Sequence, residues 1–140
     1  QRCELELPGR DSYARYDKCL LTVGGAEAPR TGFDRVLGLP LELVLTTDPR
    51  TLAPGEPLTV ELLFENRPLA ERQLKLIALD APHTITLART DAEGRAHLTP
   101  PAPGRYALFA VHQRRTTPEQ NLPGDWQGFF ASFAFEVGPP

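Results

Sequence analysis

Proline and glycine interrupt this chain at short intervals, and this punctuation constrains the fold more than any other feature of the sequence. The 140 residues include 15 prolines and 11 glycines. Proline cannot continue a helix because it lacks a backbone N–H, and glycine favours turns because it tolerates positive φ. The segments between these residues suit short strands better than long helices, so the sequence predicts an all-β fold.

Apolar and polar residues alternate from Leu41 onward. In "LTVELLF" (58–64) the apolar side chains at every second position share one face, which is the period of a half-buried strand. Further strands are predicted in LELVLTT (41–47), QLKLIAL (73–79), TITLART (84–90), RAHLT (95–99), RYALFAVHQ (105–113) and FFASFAFEV (129–137). We expect Ile85 and Leu87 to point inward. The nearly all-apolar run 105–113 predicts a central strand buried on both faces.

Two turns join these runs around residue 97. In "DAEG" (91–94) Gly94 supplies positive φ and Asp91 can accept hydrogen bonds from nearby backbone amides. The "PPAPG" turn, which ends at Gly104, is expected to fold 95–99 and 105–113 into a hairpin. His97 then points to solvent.

About seven mainly antiparallel strands with frequent turns indicate an Ig-like or transthyretin-like β-sandwich over residues 36–140. Residues 1–35 have no regular pattern, and "YARYDKCLLTV" (13–23) fits either a strand or a short helix. We expect 1–35 to be an N-terminal extension or the remnant of an upstream domain. Because the chain begins at Gln1, we expect a processed product from which a signal peptide or an upstream domain was removed.

Composition narrows the function classes. Hydrophobic residues make up 41%, charged residues 24%, and the formal net charge is −3. A basic face for nucleic acid is therefore not expected. No apolar run is long enough to span a membrane, which takes about 18 residues.

Six segments in a fixed order resemble a known family. They are YARYDKCLLTVGG, LGLPLELVLTTDP, LAPGEPLTVELLFENRPLA, TDAEGRAHL, PGRYALFAVH and DWQGFFASFAFEV. They are similar to a family of bacterial extracytoplasmic domains of unknown function, often labelled periplasmic components of cobalt or nickel uptake. The resemblance covers residues 11–137. The ENRPLA, TDAEGR and PGRY motifs are shared with transthyretin-like and carboxypeptidase-regulatory-like sandwiches.

The resemblance implies a periplasmic or extracellular accessory module that is not an enzyme and is linked to nickel or cobalt handling. Its partner would be a protein or a membrane transport component. The alternative is a structural or assembly domain that packs on a larger complex. Family members usually carry a further N-terminal β domain that begins with a histidine, and we expect this chain to hold only the C-terminal domain. Cys19 stands where the family motif has a small residue.

The two cysteines, Cys3 and Cys19, can close a loop near the N-terminus. Their even number and the extracytoplasmic resemblance favour a disulfide, which would stabilise the fold by roughly 3 kcal/mol. The alternative is two free thiols.

The histidines and aspartates are the residues of this chain that could bind a metal ion. The hairpin register would separate His97 from His112 by roughly 17 Å, and His83 lies in a turn far from loop 114–127. His112 and Asp125 both flank that loop, so they are the candidate metal ligands. A further ligand would come from water or a neighbouring chain, because structural metal sites usually need three or four. The alternative is that His112 only makes a hydrogen bond at a strand end.

No catalytic residues and no organic cofactor are predicted. The only serines are Ser12 and Ser132, and Ser132 lies in a strand without the glycine elbow of a nucleophile. The carboxylates of Glu61 and Glu65 are expected on the solvated surface, whereas general acid–base catalysis needs partial burial. Trp126 either covers the end of the core or belongs to an exposed patch that docks a partner or a sugar.

Overall fold

Two packed sheets form a β-sandwich, as the alternation predicts. A computed structural model describes residues 10–25, 27, 31–81 and 83–138. Short 3-10 turns occur at Pro49–Thr51 and Pro118–Gln120. The strands are β1 (Asp11–Cys19), β2 (Leu41–Leu45), β3 (Leu58–Phe64), β4 (Arg67–Pro68), β5 (Gln73–Ala78), β6 (Ile85–Arg89), β7 (Arg95–Leu98), β8 (Gly104–Arg115) and β9 (Trp126–Val137).

The larger sheet has five strands in the order β1-β9-β8-β5-β6. β1 runs parallel to β9, and the other pairs in this sheet are antiparallel. In the second sheet β3 pairs with β2 on one side and with both β4 and β7 on the other. The long β8 is therefore the central strand of the five-stranded sheet, as its apolar run indicates.

The core lies between the inner faces of the two sheets. The predicted inward positions of β3, β5 and β9 are confirmed, because their alternate apolar side chains are buried. The fully or almost fully buried leucines and valines are Leu41, Leu43, Leu45, Leu58, Val60, Leu62, Leu74, Leu76, Leu98 and Leu108. Burying one such side chain stabilises the fold by about 1.5–3 kcal/mol before conformational entropy is subtracted.

The predicted hairpin between β7 and β8 is wrong, because β7 pairs with β3 in the other sheet. Gly94 accounts for this docking. Its φ is +74°, and a Cβ there would lie 2.9 Å from the Leu62 carbonyl oxygen. The Leu62 N–H also donates to the Gly94 carbonyl at 2.8 Å. Only glycine allows this turn to approach β3 so closely.

The inward orientation expected for Ile85 and Leu87 is also wrong. Their side chains are 49% and 56% exposed. The register pairs Thr86 with Leu76, and Leu76 faces the core. Because side chains alternate between the faces of a sheet, the residues on either side of Thr86 point outward.

β1 lies within the region that the sequence assigns to an N-terminal extension. Asp11–Cys19 is a strand, which decides between the two structures that its sequence allowed, and it pairs with β9 along its whole length. The five-stranded sheet therefore includes residues before the expected boundary at residue 36.

A buried ion pair joins β1 to the second sheet. Lys18 Nζ lies 2.9 Å from Glu42 Oε2, and the two side chains are 7% and 1% exposed. Lys18 also donates to the carbonyl oxygens of Arg35 and Leu43. The Glu42 carboxylate accepts hydrogen bonds from the backbone N–H groups of residues 37–39. Both charges are thus fully hydrogen-bonded, as buried charges require.

No helix formed by the described residues is long and apolar enough to cross a membrane.

Candidate functional site

His112 lies near the C-terminal end of β8. Its side chain is on the inner face of the five-stranded sheet, at the rim of the sandwich. It pairs with Phe129 of β9, and its ring centroid lies 4.5 Å from that of Phe64 and 6.2 Å from that of Phe129. Alternation along β8 places Ala110 on the same face, and Ala110 is buried. His112 is half-buried and closes the core at this rim.

Arg72 determines which nitrogen of His112 carries the proton. Arg72 Nε donates to His112 Nδ1 at 3.2 Å. A guanidinium has only donors, so Nδ1 must be the unprotonated acceptor and the neutral ring carries its proton on Nε2. Burial lowers the pKa of His112 below its usual value, and the positive charges of Arg72 and Arg114 lower it further.

Arg114 lies on the same face of β8, two residues beyond His112. Its Nη1 donates to Glu65 Oε1 at 2.9 Å, and its Nε donates to Gln127 Oε1 at 3.1 Å. The guanidinium carbon is 5.4 Å from the centroid of the Phe64 ring and 5.3 Å from that of Phe129. Cation–π contact and hydrogen bonds together hold Arg114 over the end of the core.

Three residues other than glycine have left-handed backbone at this rim. They are Glu65 (φ 50°), Asn66 (φ 63°) and Glu71 (φ 59°). Glu65 and Asn66 form the tight turn between β3 and β4, in which positive φ suits two-residue hairpins. The Glu71 N–H donates to the carbonyl of Thr90 at 3.0 Å, and the buried Thr90 hydroxyl donates to the Leu69 carbonyl at 2.8 Å.

The structure does not bring the predicted metal ligands His112 and Asp125 together. The Thr116 N–H donates to the Asp125 carbonyl, so Asp125 lies opposite Thr116, four positions along the ladder from His112. That separation is about 13 Å. Arg72 occupies Nδ1 of His112, and two guanidinium groups beside the ring repel a divalent cation. No group of three metal-ligating side chains occurs among the described residues.

The expected hydrogen bond of His112 at a strand end is present, with Arg72 as its partner. His83 and His97 are exposed, and His97 Nδ1 lies 3.0 Å from Thr59 Oγ1. Asp91 performs its predicted turn role, since its Oδ1 accepts from the N–H groups of Glu93 and Arg95.

Trp126 does not cover the core. It pairs with Arg115, on the outer face of the five-stranded sheet, and is 38% exposed. The Arg115 guanidinium carbon lies 5.0 Å from the centroid of the indole ring. Ser132 is also on this outer face, where its Oγ donates to Asp17 Oδ1 at 2.6 Å.

Cys19, one of the two cysteines expected to form a disulfide, is exposed at the end of β1. Cys3 lies outside the described residues, so the Cys3–Cys19 bridge stays a prediction.

The outer face of the five-stranded sheet exposes apolar side chains that the sequence pattern predicts to be buried. Phe109 and Val111 of β8 are 39% and 45% exposed, although the sequence predicted burial on both faces of this strand. Val111 pairs with Phe130 of β9, whereas on the other side Lys75 of β5 separates Phe109 from Leu87 of β6. The long apolar run of β8 is the sequence signal of this surface, although such a run is also typical of a strand buried on both faces.

A family model described as a domain of unknown function, DUF4198, matches residues 4–114. No curated protein is significantly similar to this chain. No solved structure is significantly similar either.

Proposed function

This chain belongs to the DUF4198 family, and we propose that it is a non-enzymatic accessory module of the periplasm or extracellular space. Its outer apolar face, defined as Ile85, Leu87, Phe109, Val111 and Phe130, binds a protein partner such as a membrane transport component. The exposure of this face is the observation that carries the proposal.

The outer apolar face crosses four adjacent strands of one sheet. Phe109 pairs with Lys75, which in turn pairs with Leu87, and Val111 pairs with Phe130. Large apolar side chains in water raise the free energy of an isolated domain by about 25 cal/mol per Å² exposed. Several exposed apolar side chains on one face of a sheet, here interrupted by Lys75, are typical of sites that bind another protein.

Charged side chains border the same face. Arg89 lies on its β6 side, Arg15 and Asp17 lie on its β1 side, and Lys75 of β5 lies inside it, between Phe109 and Leu87. An apolar centre with a polar rim is the usual anatomy of a protein interface. A structural or assembly domain would use the same face, so the two roles differ in the partner and not in the surface.

The family resemblance is what supports a link to nickel or cobalt handling. We assign it to the partner and not to a His112–Asp125 site, because those two residues lie about 13 Å apart along the ladder and Arg72 holds His112. Titration calorimetry with Ni²⁺ and Co²⁺ is expected to give the same result for wild type and His112→Ala. Saturable heat in wild type that is lost in the variant would restore His112 as a ligand.

The partner role is tested with a double variant, Phe109→Lys together with Val111→Lys. Glu136→Lys is the matched control, because Glu136 is an exposed residue on the same face outside the apolar patch. A partner captured from the envelope fraction of the source cells and then purified should bind wild type and the control. The double variant should bind it at least tenfold more weakly. Equal binding by all three proteins would refute a role for the outer apolar face.

A further inference from the structure

β6 is an edge strand with free hydrogen-bonding groups. The Thr90 N–H donates to the Arg72 carbonyl, and the Ala78 N–H donates to the Thr84 carbonyl. Backbone groups of an antiparallel strand alternate between its two sides, so those of Ile85, Leu87 and Arg89 point away from β5. These groups have no backbone partner among the described residues.

The other edges of the two sheets are each obstructed. β1 has four charged residues in nine, and β4 ends in Pro68. On β2 the Leu43 carbonyl accepts from Lys18 Nζ, and on β7 the Arg95 carbonyl accepts from the Asp91 N–H. Charges, proline and capped carbonyls are the usual means by which edges avoid pairing. From Ile85 to Ala88, β6 contains neither a charge nor a proline.

We propose that β6 pairs antiparallel with β6 of a second copy of this chain, with Leu87 on the two-fold axis. Leu87 then lies opposite Leu87 of the second copy, and Ile85 lies opposite Arg89. In this register the free N–H and C=O groups of all three residues face each other, because they belong to hydrogen-bonded pairs of the ladder. The two five-stranded sheets join into one, with both outer faces on the same side.

A second copy fits this edge without charge repulsion, because Arg89 is the one charged residue of β6 and lies at its end. The two Arg89 side chains lie at opposite ends of the paired strands, about 13 Å apart, so no like charges meet. Each Arg89 is already paired with Glu71 of its own chain at 3.2 Å.

The paired strand is short, so the dimer is expected to be weak. β6 has five residues, and stable interfaces bury about 800 Å² per partner. Adding one five-residue strand buries less, which predicts dissociation in the micromolar range. This inference concerns the purified chain alone and does not depend on the proposed partner.

Sedimentation velocity tests the proposal, under reducing conditions that exclude disulfide-linked dimers. Between about 1 μM and about 500 μM wild type should shift from monomer to dimer. Leu87→Lys should stay a monomer with an unchanged far-UV spectrum, because it places two like charges face to face. Ala14→Lys is the matched control, since it puts a lysine in the middle of exposed β1 at the opposite edge of the same sheet, and it should dimerise like wild type.

Hydrogen exchange gives a second measurement that does not depend on a variant. The amides of Ile85, Leu87 and Arg89 should exchange fast at low concentration and at least tenfold more slowly at high concentration. A wild-type chain that stays monomeric throughout would overturn the proposal. A dimer that Leu87→Lys leaves intact, or one that leaves these amides unprotected, would overturn it equally.

Discussion

At the scale of single residues, His112 is held neutral by its surroundings. The ring packs on Phe64 and Phe129, and its Nδ1 accepts a hydrogen bond from Arg72. Protonation would remove that acceptor and place a third positive charge beside Arg72 and Arg114. A neutral imidazole that closes the core is therefore the state that the fold requires.

This arrangement predicts that the folded state loses stability in mild acid. The pKa of His112 is lowered on folding, so the unfolded chain binds a proton first, and stability falls as the pH drops through about 6.5 and below. Urea unfolding at pH 7 and pH 5 should show this fall in wild type and a smaller one in His112→Gln. The carboxylates with lowered pKa titrate below this window. Equal pH dependence in the two proteins would contradict the role given to His112.

Substitution of the buried Glu42 should lower the free energy of unfolding. Burial raises its pKa, but hydrogen bonds from backbone N–H groups and from Lys18 outweigh this and lower it. Glu42→Gln leaves the buried Lys18 charge uncompensated, so we expect a loss of about 3–5 kcal/mol in the free energy of unfolding. The control Glu136→Gln, at an exposed position, should change it by less than about 0.5 kcal/mol. A loss below about 1 kcal/mol for Glu42→Gln would show that Lys18 finds another partner.

At the scale of elements, β8 has two unlike faces. Tyr106, Leu108 and Ala110 are buried toward the second sheet, whereas Phe109 and Val111 face outward and are partly exposed. A continuous apolar run thus serves the core on one face and a solvent-exposed surface on the other. Side-chain truncation distinguishes these two faces.

Leu108→Ala should destabilise the protein by about 2–5 kcal/mol, because the side chain is 0% exposed and its loss leaves a cavity. Val111→Ala should cost less than about 1 kcal/mol, since this side chain is 45% exposed. Chemical denaturation of both variants measures the difference. Similar losses would mean that the outer face is covered in solution.

At the scale of the whole molecule, β1 and β9 belong to one sheet although they lie at opposite ends of the chain. They pair residue by residue from Asp11 with Trp126 to Cys19 with Ala134. The ion pair of Lys18 with Glu42 then connects this edge to the second sheet. Because the sheets share one core, they should unfold together.

Trp126 is the only tryptophan and pairs with both Asp11 and Arg115, so its fluorescence reports on the β1–β9–β8 edge. Far-UV circular dichroism reports on all strands. We expect the two signals to follow one coincident urea transition. A separate, earlier fluorescence transition would show that β1 and its neighbours unfold independently.

The sequence by itself determined the all-β class and the inward faces of β3, β5 and β9. These features are local. Alternation of apolar and polar residues shows which side chains of a strand face the core, and Asp91 with Gly94 indicates a turn. The hydrogen bond of His112 at the strand end could also be predicted from the sequence, because a polar residue that ends an apolar strand needs a partner at the rim.

The tertiary structure alone decided the pairing of β7 with β3, the parallel docking of β1 and the outward orientation of Leu87. Each depends on contacts between residues far apart in the chain, where a one-residue change of register exchanges the two faces of a strand. It also decided that Arg72, forty positions from His112, is the residue that donates a hydrogen bond to its Nδ1. A local pattern carries no information about such a neighbour, because only the packed sheets bring the two side chains together.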